Sequence, residues 1–287
     1  MLLGMLNCLA YSSNQEVSYL YAHGLADHKE QAFWYLRQKP NGAINKHYII
    51  DGKLFTFDFP DATKRFWRIN FPQCSLGQGN EIYAFYKAYA ATREKLTAQN
   101  SSQNLVLVGL SRGASVVLAF LGLFNAPQVK AAVLESPFDS LYNVVKTKLS
   151  TVDRLFPWAT DITYSLLSIA FMQHKRHGIC PIEVVHNIPK DFPLIIISSK
   201  QDSTAPCQGA KALYRKLLET NHPNAHILVL DNGRHSKLLK DEQGHIYQNT
   251  VHAFYKKFNL PHNPEFAALG QATLQNCQPT LKELGLQ

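Results

Sequence analysis

The stretch "NLVLVGLSRGASVVLAFLG", residues 104–122, places one serine between two glycines where two sequence patterns meet. The run before the serine is apolar and has the length of a buried strand, and the run after it is apolar on nearly every side, as in a buried helix. Gly109, Ser111 and Gly113 thus form a G-x-S-x-G motif at a strand-to-helix junction. A sharp turn there exposes the serine hydroxyl at the carboxyl edge of a sheet, and the glycines let strand and helix approach closely.

The rest of the chain alternates short apolar runs with longer amphipathic ones, which is typical of parallel strands joined by helices. Strands are predicted at residues 17–24, 54–61, 104–111, 130–137, 193–200 and 226–233. Helices are predicted at residues 80–96, 112–124, 209–221 and 246–260. The fold class is therefore α/β, with a mostly parallel central sheet and helices on both faces.

We interpret residues 1–287 as a single domain that contains one insertion. The alternation stops at residues 141–189, where the sequence predicts two or three helices and no strand, as in a short helical cap. The apolar stripes of this cap are expected to pack on the body of the domain or to line a pocket. Residues 261–287 are polar and contain three prolines, so we predict a tail that packs loosely or not at all.

Composition and charge exclude several classes of protein. The chain is 46% hydrophobic, yet it has no run near the roughly 18 to 20 apolar residues of a membrane-spanning helix, so stable membrane insertion is not expected. The net charge of +8 favours an acidic substrate or an anionic surface. No nucleic-acid-reading motif accompanies this charge, so nucleic acid is not an expected partner.

The cysteines and the start of the chain bear on the compartment. The five cysteines are scattered, odd in number and without a C-x-x-C pair, which favours a reducing compartment and a cytoplasmic location. The apolar opening, residues 1–13, lacks a basic region and a cleavage site, so we predict an early strand there. A weak export signal is the alternative for that stretch.

A serine hydroxyl becomes a nucleophile when a base takes its proton and an acid orients that base. Asp202 follows the predicted strand at 193–200, and His235 follows the strand at 226–233. Because the carboxyl ends of parallel strands share one edge, both side chains are expected near Ser111. Asp139, after the strand at 130–137, is the rival acid, and a turn or helix cap is the alternative role for Asp202.

The same chemistry needs two backbone N–H groups that bind the oxyanion. One comes from the residue after the nucleophile, which is Arg112, and the loop after the first predicted strand offers the amide of Leu25 as the second. We interpret His23 as shaping this loop rather than as a base. The Arg112 guanidinium is expected to be available for a carboxylate or phosphate near the site.

The spacing H-x-x-H-x-x-C within the set His174, His177, Cys180 and His186 could bring metal ligands together. The segment is basic and turn-rich and has no second cysteine nearby. We therefore expect neither a metal nor an organic cofactor.

Taken in order, five motifs resemble the α/β-hydrolase superfamily, above all serine hydrolases near the prolyl-oligopeptidase-like peptidases and small acyl esterases. They are "YAHGLADH", "GLSRGA", "ESPFDSLYNVV", "IISSKQDSTAP" and "NGRHSKLL". The resemblance covers residues 17–260 and implies the α/β-hydrolase fold and a Ser-His-Asp mechanism. Arg112 stands where relatives often carry His, Met or Leu, and Gly-Arg-His replaces the commoner Gly-Gly-His around His235. Neither departure removes a catalytic group.

We therefore expect a carboxylesterase-like serine hydrolase that acts on a small acyl ester, with water as the acceptor. A thioester or amide is the alternative bond, and an ester is preferred to a peptide because the sequence shows no propeller or other gating domain. An acyltransferase with the same three residues remains open. So does a catalytically silent fold that serves as a binding module, although three correctly ordered residues argue against it. The oligomeric state is left open.

Overall fold

The computed structural model describes residues 16–36, 47–50, 52–62, 70–280, 282–283 and 285. The early strand predicted for residues 1–13 lies outside this part of the chain, as does Cys8.

Six strands form one parallel sheet in the order β2-β1-β3-β4-β5-β6. The strands are β1 (Ser18–Ala22), β2 (Lys53–Thr56), β3 (Leu105–Leu110), β4 (Val129–Glu135), β5 (Leu194–Ser199) and β6 (Ala225–Leu230). Five of them coincide with a predicted run apart from one to three residues at their ends, whereas β2 ends at Thr56, five residues before the end of the run predicted at 54–61. The predicted α/β-hydrolase fold class is confirmed.

The helices described are α1 (Gln31–Tyr35), α2 (Gly79–Ala98), α3 (Arg112–Leu123), α4 (Leu141–Asp153), α5 (Ala159–Ala170), α6 (Pro181–Val184), α7 (Cys207–Glu219), α8 (Gly244–Lys257) and α9 (Pro264–Gln275). Two short 3-10 helices lie at Phe71–Gln73 and Val185–Asn187. Within the part of the chain that the structure describes, no helix has both the length and the apolar character that a membrane crossing requires.

Strands β1, β3, β4, β5 and β6 are buried on both faces, which explains why their sequences are continuous apolar runs, whereas the edge strand β2 is only partly buried. Successive side chains alternate between two cores. Leu20 and Leu107 pack with residues of α2, α3 and α7 on one face of the sheet. Tyr21 and Val108 pack with residues of α1, α8 and α9 on the other. Two helical layers thus hold the central sheet and fix the positions of the loops at its carboxyl edge.

The segment predicted as a cap holds α4, α5 and α6 and no strand. Its last part packs into the body of the domain, because Val184, Val185 and Ile188 lie in the core on the α3 face. The approach to α3 is close: a Cβ on Gly122 would lie 2.3 Å from the carbonyl oxygen of Val184. Helices α4 and α5 make up the remaining part of the insertion.

The C-terminal segment differs from the loose tail predicted for residues 261–287. It forms α9, which begins where the Asn263 side chain accepts hydrogen bonds from the N–H groups of Glu265 and Phe266. The helix packs closely on α8, since a Cβ on Gly270 would lie 2.0 Å from the Asn249 carbonyl oxygen. The prediction missed it because the polar residues and prolines hid a narrow apolar face, which includes the buried Leu274.

Candidate active site

The candidate site lies at the carboxyl end of the sheet, where the strand order reverses between β1 and β3. Loops that leave neighbouring strands at such a point diverge and open a crevice, where α/β proteins bind ligands. The loops after β1, β3, β5 and β6 carry the residues that the sequence singled out.

Ser111 occupies a sharp turn between β3 and α3. Its φ of 54° and ψ of −118° lie in a region that costs a non-glycine residue of order 1–3 kcal/mol. Both flanking glycines are required by close backbone contacts. A Cβ on Gly109 would lie 2.5 Å from the Cα of Ala114, and one on Gly113 would lie 2.1 Å from the carbonyl oxygen of Ala22. The turn therefore holds the serine hydroxyl at the crevice.

Three side chains that are far apart in sequence form one hydrogen-bonded chain. His235 Nε2 lies 2.8 Å from Ser111 Oγ, and His235 Nδ1 lies 2.7 Å from Asp202 Oδ2. An ionised carboxylate only accepts, so Nδ1–H donates to Asp202 and Nε2 is left to accept the proton of Ser111. The His235 side chain is 17% exposed and that of Asp202 is fully buried. Asp202 is therefore excluded from solvent, whereas His235 faces the crevice.

Asp202 is held as a carboxylate by several donors. Its Oδ1 accepts the N–H groups of Thr204 and Ala205 at 2.9 and 2.8 Å. Burial acts to raise the pKa of Asp202, but hydrogen bonds from His235 and Ala205, together with the positive charge of His235, bring the pKa below its ordinary value. The arrangement favours an anion that orients the imidazole and stabilises its protonated form.

Asp139, the rival acid, has other partners. Its Oδ1 accepts the Ser140 N–H at 2.7 Å, and its Oδ2 accepts the amide of Asn143 at 2.6 Å, at the beginning of α4. Burial raises the pKa of Asp139 despite these hydrogen bonds, which act to lower it. These contacts are those of a side chain that shapes the start of α4. His235 is hydrogen-bonded to Asp202 and not to Asp139.

The two amides assigned to the oxyanion lie beside the nucleophile. A Cβ on Gly24 would lie 3.6 Å from the Cβ of Ser111, so the loop that carries Leu25 passes next to the serine. Helix α3 begins at Arg112, whose N–H has no intrahelical partner. Within the described residues, neither the Leu25 nor the Arg112 N–H donates a backbone hydrogen bond. Neither N–H is therefore occupied by a backbone acceptor, as the binding of a developing oxyanion would require.

The side chain of Arg112 differs from the expectation that it would bind a substrate anion. It is 1% exposed, and its Nη1 donates to Asp61 Oδ2 at 2.7 Å and to Glu81 Oε1 at 3.0 Å. Its Nη2 donates to the Gly24 carbonyl oxygen at 3.2 Å, and the guanidinium lies over the ring of Phe59. The guanidinium is therefore neutralised inside the protein and anchors the loop that presents Leu25.

His23 supports the same loop from within the protein. Its Nδ1 lies 2.8 Å from the Gly24 carbonyl oxygen, and its Nε2 accepts the Phe59 N–H at 3.1 Å. These partners define a neutral imidazole with the proton on Nδ1. Burial, and then the charge of Arg112, lower the pKa of His23 to about 4. This histidine is a structural support of the loop.

The loop that carries His235 is tied to the strand beside Ser111 by residues that the sequence did not reveal. The Tyr35 hydroxyl contacts both carboxyl oxygens of the buried Glu135, at 2.8 and 2.9 Å, and accepts the Leu239 N–H at 2.9 Å. Glu135 also accepts the Ser111 N–H on its backbone carbonyl at 2.7 Å. Burial raises the pKa of Glu135 to about 8. Glu135 thus helps to hold both Ser111 and the loop that carries His235.

A cavity of about 250 Å³ opens beside Ser111 and His235. Much of its wall is apolar and is supplied by Leu25, Leu76, Phe138, Leu141, Val144 and Ala205. Leu141 and Val144 belong to α4, so the insertion forms one side of the cavity. An apolar group bound there would lie next to the serine hydroxyl.

The histidines of the cap segment do not come together as metal ligands. His174 lies within hydrogen-bond reach of the Ser75 carbonyl and the Tyr164 hydroxyl, and His177 and His186 are exposed. Within the described ranges, the metal-type ligands that do converge are Asp61, Cys74 and Glu81. Arg112 Nη1 lies 2.7, 3.6 and 3.0 Å from them, so a guanidinium supplies the cation there.

Comparison with known sequences gives a family match. The profile of the prolyl oligopeptidase family matches residues 78–260. The uncharacterised protein YfhR of Escherichia coli O157:H7 is 24% identical over 161 residues, which are 56% of this chain and 48% of that protein. The chain therefore spans about half the length of this curated relative.

Solved structures show the same fold at low sequence identity. The esterase Pf2001 of Pyrococcus furiosus superposes with a TM-score of 0.56 at 16% identity, over 85% of this chain and 83% of its own. The acylaminoacyl peptidase of Pyrococcus horikoshii superposes with a TM-score of 0.58 at 12% identity, over 88% of this chain and 39% of its own.

Proposed function

The chain belongs to the prolyl oligopeptidase family and has the α/β-hydrolase fold, and we propose that it is a serine hydrolase that cleaves small carboxylic esters through an acyl-enzyme. The observation that carries the proposal is the hydrogen-bonded chain from Asp202 through His235 to Ser111. It ends on a serine hydroxyl beside an apolar cavity.

In the first half of the reaction, Ser111 Oγ attacks the ester carbonyl carbon while His235 Nε2 takes the hydroxyl proton. Asp202 stabilises the imidazolium, and the N–H groups of Leu25 and Arg112 bind the oxyanion, where each such donor contributes about 3–4 kcal/mol. When the tetrahedral intermediate collapses, the carbon–oxygen bond breaks. His235 then gives its proton to the leaving alkoxide, and an alcohol departs.

In the second half, water attacks the acyl-Ser111 ester while His235 takes one of its protons. Collapse of the second intermediate returns that proton to Ser111 Oγ and releases a carboxylic acid. Because His235 keeps 17% side-chain exposure, water has a path to the base. This access favours hydrolysis over transfer to another acceptor.

The cavity bears on the substrate class. Its volume of about 250 Å³ lies below the roughly 300–1,000 Å³ of sites for drug-sized ligands, which favours a short acyl group. Much of its lining is apolar, and the guanidinium of Arg112 is bound to internal carboxylates. An uncharged, short acyl chain is therefore the proposed group, and an ester the proposed bond.

The test is hydrolysis of p-nitrophenyl esters of increasing acyl length, together with the p-nitroanilide that matches the best ester. We expect the best turnover with short acyl chains, a much slower anilide, and loss of activity in Ser111→Ala. Ser203→Ala replaces an exposed serine beside Asp202 and should behave as the wild type. Faster cleavage of the anilide would indicate a peptidase, and ester turnover that survives Ser111→Ala would exclude the mechanism.

A further inference from the structure

Helix α5 and the turns at its two ends carry a stripe of apolar side chains that face solvent. Its members recur every three or four residues along the chain. Ile162, Leu166 and Ile169 therefore lie along one face of α5, whereas two members precede the helix and one follows it. Each is between 50% and 76% exposed. The stripe consists of Leu155, Trp158, Ile162, Leu166, Ile169 and Met172. Trp158 also lies beside the half-exposed ring of Phe156, with the ring centroids 5.6 Å apart.

The opposite face of α5 is already used for packing. Thr160 and Tyr164 are buried, and Leu167 packs on the cluster around Leu76 and Phe171. A surface helix ordinarily buries one apolar stripe and presents polar residues outward. Helix α5 has a second apolar stripe in the outward position, and exposed apolar surface of this kind marks an interaction site.

The surroundings of the stripe are basic. Residues 141–179 contain five Lys and Arg against two Asp. Both acids have partners within the segment: Asp153 accepts from Thr160, and Asp161 lies 3.7 Å from Arg176. Exposed cations flank the stripe at both ends, with Lys148 and Arg154 before it and Lys175 after it.

We propose that α4 and α5 dock on an anionic lipid surface, with the stripe buried at the boundary between headgroups and acyl chains. Interfacial helices combine Trp, Phe and Leu on one face with Lys and Arg beside it. Aromatic residues such as Trp158 favour the headgroup level, and the flanking cations attract anionic headgroups. The protein rests on the membrane and does not cross it.

Charge argues against a second copy of this chain as the occupant. In a two-fold contact the same surface meets itself, so the basic flanks of two copies would be brought close together. Like charges at the edge of such an interface repel each other, whereas anionic headgroups would neutralise them.

Docking would also place the cavity near lipid. Helix α4 contributes Leu141 and Val144 to the cavity wall beside Ser111 and continues into the turn that begins the stripe. The same insertion therefore contacts the membrane and borders the site, so esters dissolved in the bilayer would be concentrated near it. Lipid binding itself does not depend on the proposed chemistry.

The experiment is co-sedimentation of the full chain with vesicles of phosphatidylcholine alone or mixed with phosphatidylglycerol, at low and high salt. Leu166→Asp tests the stripe, and Lys148→Glu tests the charge. Leu269→Asp is the matched control, because Leu269 is 63% exposed on α9 and Leu166 is 62% exposed on α5. Thermal unfolding verifies that each variant is folded, independently of catalysis.

We expect the protein to bind the mixed vesicles, and we expect high salt to weaken this binding. Leu166→Asp should lower the partition coefficient by about tenfold or more, and Lys148→Glu, which removes a cation and adds an anion, should lower it by at least about fivefold, while Leu269→Asp leaves it unchanged. Equal binding to neutral and anionic vesicles, no binding, or an equal loss in Leu269→Asp would overturn the proposal. A wild-type dimer that Leu166→Asp converts to a monomer, with vesicle binding unaffected, would instead assign the stripe to self-association.

Discussion

At the scale of single residues, the identity of the acid decides how His235 is oriented. Asp202 accepts from His235, whereas Asp139 accepts from Ser140 and Asn143. We predict that Asp202→Asn lowers kcat for a p-nitrophenyl ester by about 10⁴-fold, because an amide favours the wrong tautomer of the histidine. Asp139→Asn should change kcat only a few-fold. The reverse order of the two variants would mean that the rival carboxylate is the acid.

Arg112 has a separate effect, on the oxyanion loop. Arg112→Met would leave Asp61 and Glu81 without their cation, so we predict a loss of about 3–5 kcal/mol in the free energy of unfolding. Arg112→Lys keeps the charge but cannot reach both carboxylates and the Gly24 carbonyl at once. We expect it to fold and to lower kcat more than it changes KM. Urea unfolding and steady-state kinetics measure the two effects, and wild-type kcat in Arg112→Lys would refute the anchoring role.

Single residues also show what the sequence could predict. Ser111, Asp202 and His235 were identifiable because each comes shortly after an apolar run that ends at the same sheet edge. The partners of Arg112 were not, since Asp61 and Glu81 lie 51 and 31 residues away in the chain and only folding brings them together. Without knowledge of these partners, the position of Arg112 directly after Ser111 suggested that its guanidinium would face solvent and bind a substrate anion.

At the scale of elements, the close contact of β1 with α3 requires a glycine at position 113, next to the turn after β3. The Cβ of an alanine at 113 would meet the backbone of Ala22, which cannot move without separating α3 from β1. We predict that Gly113→Ala lowers the free energy of unfolding by roughly 3 kcal/mol and lowers kcat. Gly79→Ala is the control, because no atom lies within 4 Å of a Cβ at the start of α2. Equal unfolding midpoints for the two variants would contradict the packing argument.

Elements differ in how clearly their sequences indicate them. All strands except the edge strand β2 are buried on both faces, so their apolar runs are distinct even without an alternating pattern. Helix α9 is covered on one side by α8, and its packing surface includes Gly270, a residue with no side chain to indicate burial. Its beginning, Asn263 followed by Pro264, is a helix-start signal that the polar composition around it obscured.

At the scale of the whole molecule, buried titratable groups make stability depend on pH. Burial lowers the pKa of His23, His226 and His252 from 6.5 to about 4, so the stability they contribute above pH 6.5 is lost as the pH falls through 4. Glu135 acts in the opposite direction. Its pKa is raised from 4.5 to about 8, so its contribution is lost as the pH rises through 8.

Three histidines outweigh one glutamate between pH 4.5 and 6.5, and Glu135 alone acts between pH 6.5 and 8. We therefore predict a maximum in the free energy of unfolding at about pH 6.5. Urea unfolding across this range measures it, and Glu135→Gln should remove the decline on the alkaline side. A wild-type stability that still increases toward pH 8 would be inconsistent with a protonated, buried Glu135.

The proposed reaction requires Ser111 to be a nucleophile that is activated by His235. The most direct measurement is reaction of the full chain with a fluorophosphonate, followed by intact-mass analysis and mapping of the modified peptide. We expect one adduct per chain, located on Ser111, with labelling abolished in Ser111→Ala and strongly slowed in His235→Ala. A wild-type protein that gains no adduct, or gains it at another serine, would exclude Ser111 as the nucleophile and would favour a binding module instead.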